Sequence, residues 1–147
     1  MTASSKDKKE IPINFQLKGI ELLDVCLNHP KNVNPGSNVF HFNIKLEHKL
    51  NVENKFIAVI IYIDLFNEQR DLKLGSITAS CIFVIDNIND FVDSKSKKIS
   101  LPEDFITTIN SITISTARGI MFDQFKGTFL HSAFLPIVDP KSFVPQK

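Results

Sequence analysis

The sequence predicts an α+β fold, a four-stranded antiparallel sheet with a helix-start signal beyond it, and three observations carry that expectation. Apolar residues alternate with polar ones through long stretches before residue 86, the period-two pattern of strands with one buried face. Short polar turns separate successive stretches, as in an antiparallel meander. Beyond them Ser100 and Glu103 stand at capping-box spacing with Pro102 in the first turn, where a helix should begin.

The elements follow in order. Residues 1–10, MTASSKDKKE, are small, polar and charged, and predict a mobile tail ahead of one domain spanning 11–147. Between Ile13 and Leu27, Phe15, Leu17, Leu23, Val25 and Leu27 alternate with other residues, and Gly19 between the two halves suggests a bulge. The run from Asn28 to Gly36 holds two prolines and ends the strand. Phe40, Phe42, Ile44 and Leu46 then share one face, with His41, Asn43, Lys45 and Glu47 on the other. Phe56–Phe66, FIAVIIYIDLF, is apolar on both faces and reads as a third strand, and Leu72–Ile85 as a fourth. Asp86–Lys98 is polar and reads as a solvated loop.

The segment after Pro102 is the hard one. Ile106, Thr107, Thr108, Ile109, Ile112, Thr113, Ile114 and Thr116 are β-branched and individually poor helix formers. Phe105, Ile109, Ile112, Thr116 and Ile120 nevertheless recur at helical spacing. On propensity alone, strand and helix stand level. Asp139-Pro140 can start a short final helix.

A chain of 147 residues fits one compact domain. With 17 basic against 16 acidic residues, charge gives no footing for nucleic acid or an anionic membrane as the main partner. Recognition by shape and apolar contact is expected instead. The aromatic set is skewed, with 13 Phe, one Tyr and no Trp, which supplies apolar area without polar handles. Cys26 and Cys81 form no CxxC pair, no signal-peptide run follows the N-terminus, and no stretch approaches a spanning helix, so a reduced, cytoplasmic setting without membrane insertion is expected.

Catalytic groupings are scarce. His29, His41, His48 and His131 are scattered without metal-ligand spacing, GxSxG and Cys-His signatures are absent, and the five glycines stand alone rather than in a phosphate loop. The reading is of a non-enzyme needing neither metal nor cofactor.

From Gly127 to Val138, by contrast, Phe129, Leu130, Phe134, Leu135, Ile137 and Val138 crowd a stretch where a loop would normally be polar. Such a segment either covers the sheet as core or lines an exposed groove for a partner. Ala117-Arg118, then Gly127-Thr128-Phe129, then Leu135-Pro136-Ile137 and Phe143 resemble, in order and spacing, the second half of SecB-type protein-export chaperones. Phe15-Gln16-Leu17 and the strand layout extend the resemblance over Ile13–Phe143.

That resemblance implies a long helix after Pro102, a short C-terminal helix on the same face of the sheet, and a dimer-of-dimers homotetramer. It implies an ATP-independent holdase whose clients, unfolded or precursor proteins, lie in apolar grooves beside the crossover. Phe129, Leu130, Phe134, Leu135 and Ile137 are carried over as groove residues by motif, and Phe40 and Phe42 are added from the strand pattern. Family members dock the translocase motor SecA through acidic residues on the sheet and an acidic tail. Asp24 falls where one such acid lies, but Asn28 and Ser76 stand at others, and Lys141–Lys147 holds no acid. The SecA contact is thereby weakened, and a dedicated role such as antitoxin protection becomes an alternative to export. From another class, a small-ligand-binding or structural domain with a fully buried crossover would fit the same residues.

Overall fold

A computed structural model describes residues 11–30 and 39–145. The predicted tail, and most of the turn-rich run before the second strand, lie outside them. The elements are β1 (Phe15–Leu27), β2 (His41–Asn51), β3 (Phe56–Phe66), β4 (Lys73–Ile85) and the helix α1 (Glu103–Phe125). A single 3-10 turn, Pro140–Phe143, takes the place of the expected short final helix, its start capped by the Asp139 carboxylate accepting from the Lys141 N–H. A second one, Ile88–Phe91, buries Ile88 within the stretch read as a solvated loop.

All neighbouring strands are antiparallel, but their order is β1-β4-β3-β2. Only β2, β3 and β4 form the expected meander; β1 pairs with β4. Its polar residues explain the difference. Lys18, Glu21 and Asp24 interrupt β1, which suits an edge position, whereas β3 and β4 leave only Lys73 exposed and need partners on both sides.

α1 packs on one face of the sheet, where Val59, Ile61, Ile63 and Leu65 of β3 and Ile77, Ala79, Cys81 and Phe83 of β4 meet it. The helix buries Phe105, Ile106, Ile109, Asn110, Thr113, Ile114, Ala117, Met121 and Phe125. The predicted face was rotated: Ile112 and Ile120 are only partly covered. Burial against the sheet outweighs the weak propensity of the β-branched run, and the threonines satisfy their hydroxyls locally. Thr108 donates to the Asp104 carbonyl at 2.8 Å, Thr113 to Ile109 at 2.8 Å and Thr116 to Ile112 at 2.7 Å. The Ser100–Glu103 capping box does not form, since Pro102 holds the N-cap position and no side chain caps the helix. At the other end the chain turns through Gly127, whose φ of 77° favours glycine.

Candidate binding groove

α1 lies over β3 and β4 and leaves the helix-side face of β2 to the C-terminal segment. Phe42, Ile44, Leu46, His48 and Leu50 pair across to inward residues of β3, so they share that face. Near the start of β2, Phe40, Phe42 and Ile44 meet Pro136, Val138 and Phe143 around an open hollow of about 450 Å³. Near its end, Leu50, Ile57, Ile99, Leu101, Ile106 and Val144 line a second of about 850 Å³. The first is walled mainly by apolar side chains, while His48, Glu103 and Lys141 add polar groups to the wall of the second.

Between the hollows stands a polar clasp. His48 Nε2 lies 2.6 Å from Asn110 Oδ1, and Asn110 Nδ2 donates to the Pro140 carbonyl at 3.2 Å. Asn110 is 0% exposed, so each bond replaces one that water can no longer supply.

The crossover residues predicted from sequence separate into three settings. Leu130 and Leu135 face inward as core, with Leu130 0% exposed. Phe129 is half-buried and its ring stands 4.5 Å from that of His29. Phe134, 60% exposed, stacks at 6.4 Å on Phe122 away from β2, and Ile137 projects into solvent at 96% exposure. Phe40 and Phe42 line the first hollow. Thus strand-pattern residues and crossover-motif residues do not converge on one surface. Val138 and Phe143 take the place opposite Phe42, held by Arg118, whose Nε donates to the Leu135 carbonyl at 3.1 Å and Nη2 to the Pro136 carbonyl at 3.0 Å. Ile44 continues the Phe40-Phe42 alternation and was readable as a groove residue; Asn110 carried no local signal.

A second apolar surface lies at the opposite sheet edge. β1 contains two bulges, between Leu17 and Gly19 and between Leu22 and Asp24. Each reverses the alternation, so Phe15, Leu17, Ile20, Leu22, Val25 and Leu27 all fall opposite inward residues of β4. Leu23, expected on that face, sits in the second bulge. α1 reaches only the start of this strip, where the Phe15 ring meets that of Phe105 at 4.9 Å; beyond it Ile20 remains 51% exposed.

The other face of the sheet mixes charged side chains, mainly on β1 and β2, with the apolar Phe56, Ala58, Ile60 and Phe66 of β3 and Ile82 and Val84 of β4. Asp24 lies there across from Thr78, and Ser76 beside it is buried. Lys73 meets Asp64 at 3.0 Å, Lys49 stands 3.9 Å from Glu47, and Lys45 lies 5.9 Å above the Tyr62 ring. The Tyr62 hydroxyl donates to Glu47 at 2.9 Å, and that bond raises its pKa above the usual phenolic value. Glu47 and Asp64 on this face are therefore accompanied by lysines. Among the described residues, no group of three His, Cys, Asp or Glu is placed to hold a metal, and no helix is long and apolar enough to cross a membrane.

No family model matches the sequence, and no curated protein does. Among solved structures, the SecB-like chaperone Rv1957 of Mycobacterium tuberculosis, in complex with a ChAD peptide from the Rv1956 HigA1 antitoxin, is similar at a TM-score of 0.54 with 14% identity. The match covers 84% of this chain and 89% of that one. The fold is SecB-like. At this identity the likeness is one of fold, and it accounts for the open four-stranded sheet with one long helix. A Streptococcus agalactiae protein of unknown function also aligns over 86% of this chain, with 10% identity and a TM-score of 0.33, too low to support any argument.

Proposed function

We propose that this chain is an ATP-independent holdase that receives apolar segments of non-native polypeptides along the helix-side face of β2. The observation that carries the reading is the pair of apolar hollows on that face, walled by Phe40, Phe42 and Ile44 at one end and Leu50, Leu101 and Ile106 at the other. A folded client hides its apolar side chains, whereas an unfolded one exposes them, and each Leu- or Phe-sized side chain fully buried contributes about 1.5–3 kcal/mol before ordering costs. Selection for the unfolded state then needs neither nucleotide nor a sequence motif.

Assembly would raise that modest affinity. The uncovered part of the β1 strip, the five apolar side chains Leu17, Ile20, Leu22, Val25 and Leu27 on an edge strand, is suited to a second copy, and several grooves on one homotetramer act together through effective concentration. The proposed setting is the cytoplasm, where Cys26 and Cys81, both unpaired, would stay reduced.

Among clients, a dedicated partner such as an antitoxin is favoured over export through SecA. The interleaved lysines of the outer sheet face offer poor charge complementarity to a basic docking segment, and the similarly folded Rv1957 is complexed with an antitoxin peptide. The test is suppression of light scattering by a chemically unfolded protein diluted into buffer without nucleotide. Wild type should suppress it and Phe42→Ser should do so less well; a well-folded wild type that leaves aggregation unchanged would shift the reading to a small-ligand or structural domain.

A further inference from the structure

One inward position of β2 departs from the pattern of its face. Phe42, Ile44, Leu46 and Leu50 are apolar, whereas His48 stands among them opposite Val59 and is half-buried. A polar ring on an apolar face must have its hydrogen-bonding groups satisfied. The bond to Asn110 accounts for only one of its two nitrogens.

The partners fix which nitrogen carries hydrogen. The Pro140 carbonyl can only accept, so the Asn110 atom that meets it at 3.2 Å is the amide nitrogen. Asn110 Oδ1 therefore faces His48, and an amide oxygen can only accept. The 2.6 Å contact then requires the hydrogen on His48 Nε2. In the neutral ring this leaves Nδ1 bare, as an acceptor. Among the described residues nothing donates to it, and no buried side-chain nitrogen or oxygen lacks a partner. Nδ1 is thus not sealed in. The space beside the ring is the second hollow, which His48 shares with Leu50, Ile57, Leu101 and Ile106. When an apolar segment fills that hollow and excludes water, Nδ1 needs a donor from the segment itself, or the loss of its hydrogen bond weakens binding.

We propose that His48 Nδ1 is a polar recognition point within the groove: it accepts a hydrogen bond from a backbone N–H of an extended apolar client segment, sets the register of that segment, and disfavours proline at the matching place. This rests on the holdase reading above. Every residue except proline carries such a donor, so one fixed acceptor serves clients of varied sequence. It also makes binding depend on pH. Protonation leaves the Nε2–H bond to Asn110 in place but puts hydrogen on Nδ1, and a donor then faces the client's donor. Around the ring, Val59 and Ile57 of β3 and the Ile99–Leu101 stretch bring apolar side chains, while Glu103 of α1 and Lys141 of the 3-10 turn line the same hollow. Carboxylates and ammonium groups as classes change charge outside the range from about pH 5.5 to 7.5, whereas imidazoles change within it.

The probe is a permanently unfolded protein, reduced and carboxymethylated α-lactalbumin, titrated into wild type and into His48→Gln at about pH 7.5 and about pH 5.5. The glutamine amide nitrogen can donate to Asn110 as the imidazole does, and the amide does not titrate; circular dichroism verifies that the variant folds. Wild type should lose about tenfold in affinity at the lower pH, and His48→Gln no more than about twofold. The ring 15N resonances of wild type add a readout that a purely structural clasp would leave unmoved. At neutral pH His48 should show the Nε2–H form, and its Nδ1 signal should shift on saturation with the probe. Equal wild-type affinity at the two pH values, a parallel fall in both proteins, or an Nδ1 signal unmoved by bound probe overturns the proposal and leaves the holdase reading standing. Absence of binding by wild type at about pH 7.5 overturns the holdase reading, and the recognition point with it.

Discussion

Leu130→Ala and Ile137→Ala, seven residues apart in one irregular segment, should have opposite consequences for stability. Leu130 is 0% exposed and rests over Gly75, where a β-carbon would stand 2.9 Å from Leu130 Cδ1 and 3.0 Å from the Cys26 carbonyl oxygen. Truncation removes three carbons from a site whose floor is backbone and whose wall includes Phe125, so little can collapse into the space. Buried leucine truncations cost about 2–5 kcal/mol, and the rigid floor places this one at about 3–5 kcal/mol. In a domain of this size the midpoint of thermal unfolding falls by about 10 °C. Ile137, 96% exposed, should change stability by no more than about 0.5 kcal/mol. Urea unfolding of both variants beside wild type, at one protein concentration because assembly couples to folding, supplies the comparison. A Leu130→Ala loss below about 1 kcal/mol, or an Ile137→Ala loss equal to it, would refute the division of the crossover into core and exposed residues.

Further outcomes follow from the same packing. Gly75→Ala should cost about 1–3 kcal/mol by overpacking, because the Leu130 methyl can shift but the Cys26 carbonyl is held in the β1–β4 ladder; thermal unfolding reads it, and an unchanged midpoint would contradict the close approach. Burial raises the Cys81 thiol pKa, partly offset by hydrogen bonds with Thr113 and Thr116. In native protein a thiol reagent should therefore label Cys26 first and reach Cys81 only on unfolding, as peptide mass spectrometry would show. The sign for stability follows: with its pKa raised, Cys81 contributes fully below the ordinary thiol pKa, and that contribution is lost as pH climbs through the higher folded value. Ile20→Lys, in the uncovered β1 strip, should lower the light-scattering mass without unfolding the chain, whereas an unchanged assembly would remove β1 from any interface.

Most of the sheet was legible because its signal is local. Phe40 to Leu46 and Phe56 to Phe66 announce their faces through alternation, and the strand ends fall close to the turn residues. Pairing is not local: β1 joins β4, across a connection that includes residues 31–38, through a preference for burial that depends on all four strands. Bulges are equally hidden. Gly19 hinted at the first, but the second, at Leu23, became visible only in register with β4. In α1 the capping signal pointed two residues upstream of the observed N-cap, and the face was rotated because Asn110 and Thr113, polar in sequence, are buried through bonds to distant or preceding residues.

The crossover illustrates the same limit at the site. Phe129, Leu130, Phe134, Leu135 and Ile137 look equivalent as apolar letters in a loop, yet the chain turns between them and divides them among core, half-buried and exposed settings. Phe42 and Ile44 could be assigned to one face from alternation, while their partners Val138 and Phe143 depend on where Arg118 pins the Leu135 and Pro136 carbonyls.

The β2 groove and the β1 strip are rival surfaces for the client, and methyl resonances tell them apart most directly. With reduced, carboxymethylated α-lactalbumin added to isotope-labelled protein, the account predicts that Ile44, Leu50 and Val138 methyl signals shift while those of Ile20, Leu22 and Val25 hold still. Shifts confined to Ile20, Leu22 and Val25, with the β2 groove unmoved, would contradict it.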